Sequence, residues 1–307
     1  MATLGVVVPV YNGEPTLHEL HRRITTQLSA LTDDWQLVYV DDRSPDRSWE
    51  ILEGFAAASP RVRARRLIRN YGEHIAITAG LDEVDADHTF IMACDLQDDP
   101  SAMPALLEAA RTTGADLVLT RRMRRQDAVL KRVLARLFYL VVQFLVKVKY
   151  DHRVGNYRLL SRRAVTMFRE YRERTRNVNA ILAIMAVPTT TVDVQHQPRG
   201  GGSSGYTLLR SARLAFHVLV GYSEVPLQLV VLLGVTISAI AAVALARLLL
   251  APADPDPAVQ AIHLAAALLV LIGGFIILAI GTVGVYLTKS FVESMKRPLY
   301  FVADRRG

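Results

Sequence analysis

Two long apolar runs in the second half constrain this chain more than any other feature. Val225 to Leu250 and Ala261 to Thr288 are each long enough, at about 1.5 Å per helical residue, to cross roughly 30 Å of hydrocarbon. They predict a pair of transmembrane helices over 225–288, with 251–260 as a short outer loop. Yet 21% of the 307 residues are charged, beside 51% hydrophobic, which is too many charges for a wholly embedded protein. The chain is therefore expected to divide, and its length leaves room for one full α/β domain ahead of the hairpin.

Charge sets the orientation. The loop holds Asp254 and Asp256 but no Lys or Arg, whereas Lys289, Lys296, Arg297, Arg305 and Arg306 follow the second run. Arg247, near the end of the first run, can snorkel. The positive-inside rule then predicts a multi-pass protein of the plasma (inner) membrane, with its amino-terminal half and its basic tail, 289–307, in the cytoplasm. Met1 to Thr3 lead straight into an apolar run without a basic segment or cleavage site, so no signal peptide is expected. Cys94 is the single cysteine, which excludes an intrachain disulfide and a cysteine-based zinc site. The net charge of +7 suits an anionic partner: nucleic acid, lipid headgroups or a phosphorylated substrate.

Two further stretches, Lys131 to Tyr150 and Tyr206 to Tyr222, mix Leu, Val and Phe with Lys, Arg and His. Both read as amphipathic helices lying in the membrane interface, although 131–150 also suits a buried core helix. From Leu4 to Thr120, β-branched runs alternate with segments of helical period, the pattern of a mostly parallel sheet covered by helices. Strands are predicted at Leu4–Val10, Gln36–Val40, Val62–Ile68, His88–Ala93 and Asp116–Thr120, and helices at Pro15–Leu31, Pro45–Ala58, Glu73–Val84 and Ser101–Thr113. In the tail, Pro298–Val302 alternates enough to add a short strand to this domain.

Ligands of such sheets bind beyond the carboxyl ends of the strands, and chemistry-bearing residues sit there. The first strand runs into Tyr11 and Asn12, and the second into Asp41-Asp42-Arg43-Ser44-Pro45-Asp46. Each motif alone also suits a turn and a helix cap. The fourth ends in Ala93-Cys94-Asp95-Leu96-Gln97-Asp98-Asp99-Pro100, a loop of hard oxygen donors suited to Mg2+ or Mn2+. Asp95 and Gln97 are the metal candidates, since Asp98 and Asp99 also suit a helix start. Arg199-Gly200-Gly201-Gly202-Ser203-Ser204-Gly205 has the backbone freedom, amides and cation of a phosphate-covering loop, or of a plain linker. Arg121, Arg122, Arg124 and Arg125, with Lys131 and Arg132, form a basic cluster fit for lipid headgroups or for one phosphate.

These motifs, with Arg69-Asn70-Tyr71-Gly72-Glu73-His74, resemble family 2 glycosyltransferases of the polyprenyl-phosphate type. The likeness extends to Arg122-x-x-Arg125-Gln126-Asp127, to His196-x-x-Arg199-x-x-Gly202-x-Ser204-x-Tyr206 and to the paired membrane helices. It implies a Rossmann-like GT-A domain over 1–205, an interfacial helix over 206–224 and then the hairpin. It implies inverting transfer of a sugar from a UDP- or GDP-linked donor to polyprenyl phosphate, and a tetrameric homo-oligomer. Pro9, Tyr11, Asn12, Asp41, Asp42, Asn70, Gly72 and His74 would bind the donor, with Arg199, Ser204 and Tyr206 closing over it. Asp95, Gln97 and Arg122 would be catalytic, Asp95 and Gln97 through the metal. Arg122, Arg125 and Lys131 would hold the acceptor phosphate.

Two positions depart from the family pattern: Ala93 replaces the first aspartate of the metal loop, and Gly205 replaces a usual lysine. A rival reading therefore makes the chain a scaffold that binds nucleotide sugar or lipid without transferring anything. Transfer to a growing glycan or protein would call for a longer acceptor channel or more membrane spans. A nucleic-acid partner suits the charge but neither the membrane helices nor the acidic strand ends.

Overall fold

The computed structural model describes residues 2–122, 154–174, 176–194, 230, 232–237, 239–240, 243 and 257–307. The chain divides into two compact units: Met1–Ala135, Val148–Gly205 and Arg297–Gly307 form one, and Arg136–Lys147 with Tyr206–Lys296 form the other.

The first unit is a GT-A type mixed α/β sheet. Its elements run β1 (Leu4–Val10), α1 (Leu17–Leu31), β2 (Trp35–Asp41), α2 (Ser48–Ala58), β3 (Val62–Leu67), α3 (Glu73–Glu83), β4 (His88–Ile91), α4 (Met103–Thr113), β5 (Leu117–Arg122), β6 (Val154–Ser161), α5 (Arg162–Glu170), α6 (Val178–Ile184), β7 (Thr189–Val194) and β8 (Val302–Arg306). The strands form one sheet in the order β7-β5-β6-β4-β1-β2-β3-β8. β1 to β4 are parallel, β6 runs antiparallel to both its neighbours, and β8 pairs antiparallel with β3.

Alternation along the strands builds two cores. Val6, Val8, Val10, Leu37 and Tyr39 pack on one face with Leu20 and Ile24 of α1, Trp49 and Leu52 of α2, and Met103 and Leu106 of α4. Val7, Val38 and Val40 point the other way, onto Ala76 and Ile77 of α3, Val165 and Phe168 of α5, and Ile181 of α6. Period-two side chains on a sheet covered on both faces give this three-layer arrangement.

The five predicted strands and four helices of 4–120 appear with small shifts. A 3-10 turn, Pro100–Ala102, takes the residues where the fourth helix was expected to begin, capped by the Asp99 carboxylate accepting from the Ser101 amide at 3.0 Å. The tail strand forms later than Pro298–Val302. Its register is set by Arg305 and Arg306, which reach Glu83 and Glu53, and by Tyr300, whose hydroxyl donates to Asp82 at 2.8 Å. β6, α5, α6 and β7 were not anticipated.

In the second unit, α7 (Pro257–Ser294) runs for 38 residues. Its stretch Ile272–Ser294 is long and apolar enough to cross a membrane and has none of its apolar window buried in protein. Of the first apolar run, residues 230, 232–237, 239–240 and 243 are helical. A Cβ at Gly234 would stand 2.3 Å from the Phe275 ring, so glycine permits the close approach of the two segments there. The remainder of that run and both amphipathic stretches, 131–150 and 206–222, lie outside the described residues.

Candidate active site

The strand order turns at β1, because the chain steps outward through β2 and β3 and then returns to β4 on the other side. α1 and α2 cover one face, while α3, which carries the chain from β3 back to β4, covers the other, and the reversal leaves a crevice beyond the strand ends. A cleft of about 590 Å³ opens there, lined by Pro9, Val10, Tyr11, Asn12, Asp42, Asn70, Gly72, Glu73, Ala76, Ala93, Cys94, Asp95, Gln97, Asp98 and Asn156.

The loop after β1 is held by side chains of the loop after β2 and of the first residue of α2. The amides of Asn12, Gly13 and Glu14 donate to Ser44 Oγ, Ser48 Oγ and Asp46 Oδ2 at 3.2, 2.9 and 3.1 Å. Asn12 adopts a positive φ of 54°, which asparagine tolerates better than most residues. Thr16 ties the same loop to the fourth strand end, donating to the Cys94 carbonyl at 2.6 Å. The three strand ends are thus fastened to one another, and Tyr11 is left half exposed at the cleft.

The acidic pair does unequal work. Asp42 lines the cleft, and its two oxygens accept the Tyr71 and Gly72 amides at 2.7 Å each. Asp41 is fully buried and is absent from the lining; it accepts the Ser44 amide at 3.1 Å and meets Arg66 Nε at 3.2 Å, a charge contact rather than an aligned hydrogen bond. Burial pushes both carboxyls above their ordinary value, outweighing these bonds.

Gly72 has φ 95° and ψ 157°, a conformation that is essentially glycine's alone. It lets the chain fold back onto Asp42 and start α3. A Cβ there would meet nothing within 4 Å, so any penalty is backbone strain. Gly72→Ala is expected to destabilise the domain by about 1–3 kcal/mol in chemical denaturation.

In the fourth loop, Asp95 Oδ1 accepts the Gln97 amide at 3.1 Å and Asp98 Oδ2 accepts the Ala93 amide at 3.0 Å. Asp98 is buried and shapes the loop. Among the described residues, no group of three His, Cys, Asp or Glu could hold a metal unaided. One rim carboxylate nevertheless fits Mg2+ or Mn2+, which take one or two protein carboxylates and fill the remaining positions with phosphate and water. Burial pushes the Cys94 thiol up to about 11, which removes it as a nucleophile near neutrality.

His74 lies outside the lining. Burial, aided by Arg158, lowers its pKa to about 4, and among the described residues its Nδ1 has no partner. The unfolded chain binds this proton more readily, so stability is expected to fall as pH drops from 6.5 towards 4. Urea titrations of His74→Gln should show that slope flattened, while Asp41 and Asp42, shifted the other way, act against it.

Of the predicted donor contacts, Pro9, Tyr11, Asn12, Asp42, Asn70 and Gly72 come together with Asp95 and Gln97. Arg122 ends β5. Arg125, Lys131, His196, Arg199, Ser204 and Tyr206 lie outside the described residues. Glu73 and Asn156 were missed as site residues; no strand had been assigned at Asn156, and Glu73 reads as an ordinary acidic first-turn residue.

The Glycosyl transferase family 2 model matches residues 5–168. The undecaprenyl-phosphate 4-deoxy-4-formamido-L-arabinose transferase of Pseudomonas fluorescens (strain SBW25) is 32% identical over 302 residues, covering 97% of this chain and 88% of that one. The uncharacterised glycosyltransferase YkcC of Bacillus subtilis (strain 168) is 26% identical over 303 residues, 99% of this chain and 94% of its own. Among solved structures, glucosyl-3-phosphoglycerate synthase from Mycobacterium tuberculosis, in complex with Mn2+, UDP-glucose and phosphoglyceric acid, superposes with a TM-score of 0.52. It is 16% identical, covers 71% of this chain and 78% of that one, and attests the fold.

Proposed function

Because the chain belongs to glycosyl transferase family 2, we propose that it transfers a sugar from a UDP- or GDP-linked donor to polyprenyl phosphate, at the cytoplasmic face of the membrane. The observation that carries this reading is the switch-point cleft, which Tyr11, Asn12 and Asp42 line together with Asp95 and Gln97. The named undecaprenyl-phosphate transferase, alike over nearly its full length, supports a lipid phosphate as acceptor. The exposed apolar α7 supports a membrane location. Two spans, cytoplasmic termini and a tetramer complete the proposal.

A phosphate monoester has a second pKa of about 6, so it is largely dianionic at neutral pH and attacks without a strong base. Catalysis then rests on alignment and charge. Direct displacement inverts the anomeric centre. The Tyr11 ring and the Asn70 region receive the nucleoside, and Arg122, Arg125 and Lys131 hold the acceptor phosphate in line. Mg2+ or Mn2+, held by Asp95 and Gln97, would offset the charge of the departing diphosphate. His74, neutral in this fold, is not needed as a base.

Purified protein in detergent, with undecaprenyl phosphate and radiolabelled UDP- and GDP-sugars, tests the reading. Label is expected to enter the organic phase with Mg2+ or Mn2+ and to remain aqueous with EDTA. Donor binding with no labelled lipid across the panel would favour the scaffold instead.

A further inference from the structure

The side-by-side order β3, β2, β1, β4, β6, with strands about 4.7–4.9 Å apart, gives the parts of a donor a sequence along the cleft. The proposed nucleoside contacts follow β1, β2 and β3, and Asp95 and Gln97 follow β4. A donor laid along that edge carries its sugar onward to β6, where Asn156 lines the cleft.

Asn156 is held at both ends. Its Nδ2 donates to Glu73 Oε1 at 2.9 Å, and the buried Arg158 donates from Nη2 to Asn156 Oδ1 at 3.4 Å and from Nε to the Asn156 carbonyl at 2.9 Å. These partners fix which way the amide faces. Glu73 is exposed on the first turn of α3, in the same lining. A carboxylate offers about four acceptor positions, so it can accept sugar hydroxyls besides the Asn156 amide. A site built to bond a hydroxyl discriminates strongly against a substrate that lacks it, and a carboxylate repels a second carboxylate.

On the transferase reading, we propose that Glu73 and Asn156 form the subsite for the transferred sugar, and that they select an uncharged, hydroxyl-bearing sugar over a uronic acid. Calorimetry on the full-length protein in detergent tests this with UDP, GDP, their neutral hexose conjugates and UDP-glucuronate. Glu73→Gln is expected to leave the nucleoside diphosphate Kd within about twofold while weakening the preferred neutral donor about tenfold, as loss of one charged hydrogen bond does. It should also narrow the gap to UDP-glucuronate. Asn156→Ala should weaken the same donor with the diphosphate again unchanged, and unchanged diphosphate binding reports an intact fold.

Parallel loss of diphosphate and sugar-nucleotide affinity, or no change in either, would overturn the subsite and leave the transferase reading standing. A wild-type protein that binds no nucleotide sugar would overturn both.

Discussion

Asp95→Ala is expected to lower lipid-linked product formation by about 10²–10³-fold at saturating donor, the scale of losing one preorganised charge-stabilising group. The loss should be this large because the loop holds no reserve. Ala93 supplies no carboxylate, and Asp98 is committed to the Ala93 amide at 3.0 Å. Asp95→Asn, which keeps the shape and an acceptor for the Gln97 amide, should fail almost as badly if charge is the cause. Single-turnover transfer of label separates this from binding, and a variant retaining a third of the wild-type rate would remove Asp95 from the chemistry.

The second large effect concerns stability. Asp42→Ala is expected to cost about 2–4 kcal/mol, because it strips the Tyr71 and Gly72 amides of their acceptor inside the fold. Asp42→Asn keeps one oxygen and should lie between wild type and alanine. Urea denaturation measures both. A near-neutral Asp42→Ala would mean that water replaces the carboxylate freely and that the β3–α3 turn does not depend on it. Nucleotide affinity should fall with stability in this series, since the same turn presents Asn70 and Gly72 to the cleft.

The first half of the chain was legible because its strands are short apolar runs, each followed by helical periodicity, and Val6 to Val10 alternate between two cores as a doubly covered strand must. Residues 154–194 were not legible. β6 carries Asn156 and the buried Arg158 among apolar residues, β7 is a threonine-rich edge, and α5 opens with two arginines, so no simple period stands out. Strand ends located most of the cleft, but residue type could not say which acid faces it. Asp41 and Asp42 look alike in sequence and differ by one position on a pleat, which sends Asp41 to Arg66 and Asp42 to the turn amides. Asp99 caps the turn at Ser101, as its place ahead of a helix start suggests, whereas the tie from Asp98 back to the Ala93 amide is visible only once that amide is placed.

β8 comes after α7 in the chain yet completes the sheet beside β3. During synthesis the catalytic domain must therefore wait, one strand short, until the long apolar helix has emerged. Meanwhile the open hydrogen-bonding edge of β3 is a template for pairing with other chains. A fragment cut ahead of α7 lacks β8 and leaves the β3 edge open, so it is expected to aggregate. It would need residues 297–307 rejoined through a linker, or supplied as a separate peptide that docks on β3.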